Sequence, residues 1–163
     1  VHPTRDQHFF VPDHTPEPPP VLAQLAANLL ALRARGNWSS NALAEQSQVS
    51  RLMVQMLEKG QTNVSLRTLD KLARALGVST GSLLGKKPVA RQDGEALIEE
   101  VLARNLLAAR RRLALTQDQL AERAGLLRPV IAYIENQSRN PSMVTLAKLA
   151  DAAGVSLEAL LSS

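Results

Sequence analysis

Apolar residues along this chain recur at i, i+3, i+4 spacing, which gathers them on one face of a helix. Leu22, Leu25, Leu29 and Leu32 mark a helix over about 21–35, and Leu102, Leu106, Ala109 and Leu113 mark another over about 95–113. Polar punctuation supplies the ends of the elements that follow. Thr116-Gln117-Asp118-Gln119 has the capping-box pattern and opens a helix that Gly125 stops, because glycine takes the left-handed conformation at low steric cost. A further helix is expected over about 128–136, where Pro129 fits because it falls in the first turn. Ser142 opens a fourth helix ending near Gly154, and Ser156 a fifth. The preceding block follows the same plan, with Ser39/Ser40, Ser50, Ser65 and Ser79 as starts and Gly77 as a stop.

The two plans agree because the chain repeats itself. Shifting the sequence by 77 residues lays 25–84 on 102–161 without a gap, and 26 of the 60 aligned positions are identical. A single duplication of this length is a pair of domains and not a solenoid. The expected division is a Pro-rich arm over 1–20, a first domain over 21–85, a linker over 86–94 and a second domain over 95–163. The arm holds six of the nine prolines, so it is expected to be extended or disordered. From Gly85 to Gly94 the linker has ten residues, which reach up to about 35 Å when extended.

Composition narrows the class. Leu (28) and Ala (23) dominate while aromatics number four, which favours helices packed by aliphatic side chains over a sandwich or barrel. The fold class expected is therefore all-α. Cysteine is absent, which removes disulfides and Cys-based zinc sites. No apolar run approaches the roughly 20 residues that cross a bilayer, so no membrane partner is expected. A net charge of +4 and a pI near 10.0 suit a polyanionic partner. The surplus is uneven: 21–85 carries seven basic and three acidic residues, 98–163 eight and seven.

Two short helices joined by a three-residue turn, within five helices, make a helix-turn-helix arrangement. The stretch from Leu115 to Gly125, with Ile131, Tyr133, Glu135, Asn140-Pro141-Ser142, Leu146, Leu149 and Gly154-Val155-Ser156, strongly resembles the Cro/lambda-repressor-like (Xre-type) family. The resemblance covers nearly all of 98–161 and continues in register over 21–84. It implies two five-helix domains that bind double-stranded DNA and regulate transcription. In each, the third helix enters the major groove, with Val54 and Leu57, or Ile131 and Ile134, turned inward. Facing outward are Arg51, Leu52, Gln55 and Met56 in the first copy, and Arg128, Pro129, Ala132 and Tyr133 in the second. The resemblance also assigns phosphate contacts to Ser40 and Gln117 at the start of helix 2, and to Lys59, Asn136 and Arg139 after helix 3. It makes structural ion pairs of Arg33 with Glu58 and Arg110 with Glu135.

Several features depart from the family pattern. Leu52, Met56, Pro129 and Ala132 cannot make the bidentate hydrogen bonds that discriminate bases. Leu127 stands where a hydroxyl cap is usual. These apolar residues support an alternative, a protein-interaction or antitoxin-like module on the same fold. His2, His8 and His14 lie in the Pro-rich arm without supporting ligands, so no metal site is expected. Phe9-Phe10 could anchor a protein partner through the arm. Trp38 is expected in the core. No phosphate loop, catalytic carboxylate pair or nucleophile pattern is present, so neither an enzyme nor a cofactor is expected. The expected setting is the cytoplasm, on the nucleoid. A homodimer stays open: two chains would read a palindrome, whereas one chain with two unlike recognition helices would prefer an asymmetric site.

Overall fold

The computed structural model describes residues 19–163, which are helical apart from turns and two isolated bridges. The first half contains α1 (Pro20–Arg35), α2 (Ser40–Ser47), α3 (Arg51–Glu58), α4 (Leu66–Ala75) and a 3-10 turn at Gly81–Leu83. The second contains α5 (Ile98–Arg112), α6 (Gln117–Ala124), α7 (Arg128–Glu135), α8 (Met143–Ala153) and α9 (Leu157–Leu160). Side-chain caps explain most of these boundaries. Ser39, Ser50, Ser65, Ser142 and Ser156 each accept a hydrogen bond from a first-turn N–H, and Thr116 with Gln119 forms a complete capping box.

Three expectations are corrected. The proposed arm ran through Pro20, but Pro20 is already helical, its fixed φ fitting the first turn. The second long helix begins at Ile98 and not near 95, because Gly94 (φ +78°) and the Glu95 side chain, which accepts from the Gln92 N–H, close a turn before it. Ser79 does not start a fifth α-helix. Its N–H donates to the Val89 carbonyl (2.8 Å), and the neighbouring Thr80 hydroxyl donates to Asp70 (2.6 Å), leaving a single 3-10 turn.

The linker is also not slack chain. Val78 and Ala90 form an antiparallel bridge, and the Arg91 N–H donates to the Gly77 carbonyl (3.0 Å). The Arg91 guanidinium reaches Asp70 (3.1 Å) and Glu95 (3.3 Å). The 35 Å reach calculated for an extended linker therefore does not describe this molecule, since the segment folds back onto the first half.

The halves meet through a seam with internal two-fold logic. The Leu66 N–H donates to the Pro141 carbonyl, and the Met143 N–H to the Val64 carbonyl, both at 2.8 Å. The Arg67 N–H donates to Asn140 Oδ1 (3.0 Å) and the Val144 N–H to Asn63 Oδ1 (3.3 Å). Each of these pairs maps onto the other under the 77-residue shift. This reciprocity, residue i on j and j on i, is the signature of an isologous interface, here built within one chain. The same holds between elements: α4 packs on α5, α8 on α1, and the 3-10 turn on α9. Apolar burial is continuous across the seam, so Leu66, Leu69, Ile98, Met143 and Leu160 belong to one buried cluster.

Candidate nucleic-acid interface

Each half builds its helix-turn-helix from a short helix, a three-residue turn and a second short helix. In the first, the turn is Gln48-Val49-Ser50, with Gln48 in the left-handed conformation (φ +56°). In the second, Gly125 occupies that position at φ +64° without a steric penalty. Helices α3 and α7 are held from beneath by Val54, Leu57, Ile131 and Ile134, all fully buried. Because 3.6 residues make a turn, anchoring those positions turns the opposite stripe outward.

That stripe carries the outward residues expected. Arg51, Leu52, Arg128, Pro129 and Tyr133 are exposed, while Gln55, Met56 and Ala132 are half-buried. Leu52 is 66% exposed and Leu127 75%, so this outward surface is markedly apolar. Arg51 sits at the start of α3, above the Ser50 cap. Arg128 opens α7, where Leu127 offers no side-chain cap, and its guanidinium lies 3.6 Å from Asp118 in a solvent-exposed pair. Such a pair is worth little and can be exchanged for another anion.

Ser40, Gln55 and Lys59 come together on one open groove of about 420 Å³, which Arg33 and Glu58 also line. In the second half, Asn136 and Arg139 are exposed on the loop after α7. Gln117 is more engaged than its assignment as a phosphate contact implied. Its side-chain amide donates to Glu135 Oε2 at 2.8 Å, tying the start of α6 to the end of α7.

Both ion pairs form. Arg110 grips Glu135 with two parallel hydrogen bonds (2.6 and 2.9 Å) and gives a third to the Leu115 carbonyl (2.9 Å). Arg33 grips Glu58 in the same way and donates to the Trp38 carbonyl (2.8 Å). Each pair thus joins the first helix, the loop after it and the recognition helix. The hydrogen bond to the carboxylate outweighs burial and raises the pKa of both arginines. Burial would push the Glu135 carboxyl up, but hydrogen bonds from Arg110 and Gln117 and the charges of Arg110 and Arg111 hold it below the usual range.

Two features escaped sequence reading. Asn28 and Asn105, identical in the repeat, donate to the carbonyls of Leu83 and Gly85 and of Ala159, Leu160 and Ser162. They fasten the last element of each half to its first helix. The only available signal was their identity within an apolar stretch. The second feature is the cluster of Asp70, Thr80, Arg74 and Arg91, which lacks a counterpart because Ala147 and Leu157 replace Asp70 and Thr80. Trp38, expected in the core, is only partly buried, resting against it beside Gly36. His2, His8, His14, Phe9 and Phe10 lie outside the described residues. No described helix is long and apolar enough to cross a membrane.

A helix-turn-helix family model matches the chain twice, over residues 29–83 and 106–160, together more than half of it. A hypothetical transcription factor of Neisseria meningitidis serogroup B is 34% identical over 74 residues, covering 45% of this chain and 70% of that protein. Control protein C.SmaI of Serratia marcescens is 42% identical over 64 residues, covering 39% of this chain and 76% of that protein. A crystal structure of the hypothetical transcription factor NHTF from Neisseria aligns with 30% identity and a TM-score of 0.41, over 45% of this chain and 84% of that one. With two copies of the motif in register and both recognition helices seated on their ion pairs, the chain belongs to the helix-turn-helix family of DNA-binding transcriptional regulators.

Proposed function

We propose that this chain binds a specific double-stranded DNA site as a repressor-like regulator, presenting α3 and α7 to successive major-groove faces. One observation carries this reading: two complete helix-turn-helix units are joined by a reciprocal seam inside one chain. A two-fold pair of recognition helices is what a half-site repeat requires. Phosphates would be held by Ser40, Lys59, Gln117, Asn136 and Arg139, and the base edges approached by Arg51, Leu52, Gln55, Met56, Arg128, Pro129, Ala132 and Tyr133. Because the two stripes differ, the preferred site has two unlike halves. Apolar residues there touch thymine methyls better than they read donors and acceptors, so much of the affinity comes from phosphates. Such a regulator works in the cytoplasm on the nucleoid, and no step of this reading calls for a cofactor or catalysis.

Site selection from random duplex DNA, followed by footprinting, tests this reading. The expected result is an asymmetric site whose affinity falls steeply with salt, as counterion release demands. The Arg51→Ala/Arg128→Ala double variant should bind at least tenfold more weakly. The exposure of Leu52, Leu127 and Tyr133 favours a second reading, in which this face holds a protein. Salt-independent binding, or a double variant indistinguishable from wild type, would select it.

A further inference from the structure

The seam is two-fold in its backbone but not in its side chains, and the exceptions lie where partner choice is decided. Under the 77-residue shift, Gly81 corresponds to Glu158 and Gly85 to Ser162. In the folded chain these positions face each other. A side-chain carbon on Gly81 would meet the Glu158 carbonyl and the Ser162 hydroxyl, each at 2.7 Å. One on Gly85 would run into the Glu158 carboxylate. The first half therefore offers a buried floor of two glycines, and the second lays a glutamate side chain onto it. A second asymmetry lies beside it. Arg67 of α4 pairs with Glu99 of α5 (2.7 Å), while the corresponding positions on the other side of the axis are Val144 and Leu22.

We infer that the two halves have diverged to fit each other and not a second copy of themselves, so that the protein is a monomer carrying its own two-fold partner. Two second halves placed on this seam would drive each Glu158 side chain into the other's Glu158 carbonyl and Ser162, with Ser162 also filling the space that Gly85 leaves open, and would face Glu99 with Val144. Two first halves would leave glycine against glycine with nothing to fill the gap, and would face Arg67 with Leu22. Only the unlike pairing supplies one knob to one floor and one cation to one anion. Specificity of this kind is a difference between pairings, and it comes as much from the clash and the unpaired charge as from the favoured contact. The linker reinforces the choice, since its bridge to Val78 and the Arg91–Asp70 contact keep the second half beside its own first half. This inference concerns the protein without DNA and stands or falls separately from the proposed binding site.

The test uses the full chain. Sedimentation velocity from about 1 to about 100 µM should show one species at the 17.6 kDa of a single chain. A concentration-dependent species of twice that mass overturns the inference. Gly81→Glu, whose side chain would be driven into the Glu158 carbonyl and the Ser162 hydroxyl, should lower the melting temperature by about 4 °C or more. Exchanging the whole set across the axis, Gly81→Glu/Gly85→Ser/Glu158→Gly/Ser162→Gly, rebuilds a knob and a floor with their owners swapped. It should recover most of the loss. If the single variant melts like wild type, or the fourfold exchange fails to recover the fold, the divergence has no role in partner choice. Should Gly81→Glu not fold at all, the melting temperature of the fourfold exchange still decides.

Discussion

At the scale of single residues, backbone conformation and charge give two sharp expectations. Gln48 adopts a left-handed φ that costs a residue with a Cβ about 1 kcal/mol, and Gly125 shows the unstrained solution at the same place in the repeat. Gln48→Gly should therefore stabilise the chain by about 0.5–1 kcal/mol, read as a rise in the urea midpoint with an unchanged slope. Glu135 is the complementary case. Glu135→Gln leaves the Arg110 guanidinium without its charged partner and should cost about 3 kcal/mol, the lower end for breaking a buried pair. The depressed folded-state pKa of Glu135 makes this contribution dependent on pH. It is fully present above the unfolded value of about 4.3 and is lost as pH falls through the lower folded value. Urea unfolding of wild type and variant should therefore differ at neutral pH and converge in acid.

At the scale of elements, the segment from Val89 to Arg91 is held by a few polar contacts and little apolar burial, so its attachment can be tuned separately. Hydrogen bonds from Thr80 and Arg74 and the charges of Arg74 and Arg91 hold the Asp70 carboxyl below its usual range, against a burial that pushes it up. Asp70→Asn should loosen the segment without unfolding the helices. Amide exchange at Ser79 and Arg91 should quicken, while the α7 amides keep their protection. Element boundaries were legible wherever a hydroxyl cap or a glycine marked them, as at Thr116, Gly125, Ser142 and Gly154. They were misjudged at Ser79, where the cap falls instead to Thr80, whose hydroxyl is given to Asp70 and caps no N–H, so only a 3-10 turn follows. A carboxylate in the preceding helix took the hydroxyl, and the local hydroxyl pattern does not reveal that competition.

At the scale of the molecule, the second half carries a complete copy of the repeat, but Ile98, Met143 and Leu160 are buried in a cluster that the first half completes. The isolated 95–163 fragment should fold to a helical monomer and melt below the full chain, because separation returns part of that apolar area to water. Circular dichroism on heating checks this, and a fragment as stable as the whole would mean that the seam contributes nothing.

The repeat, the all-helical class and the inward Val54, Leu57, Ile131 and Ile134 were determined by sequence alone, since each rests on periodicity or on identity between copies, and both arginine–glutamate pairs were implied by the family resemblance. The seam was not. Leu66 and Pro141 are 75 residues apart and Gly81 and Glu158 are 77 apart, and nothing in their local neighbourhoods says that they touch. The folding back of the linker, the second hydrogen bond that commits Gln117 to Glu135, and the unlike pairing of the halves were likewise decided only in three dimensions. Each depends on which of several available donors, carboxylates or apolar faces the packed chain brings to a given place. That is a property of packing, which a linear pattern does not encode.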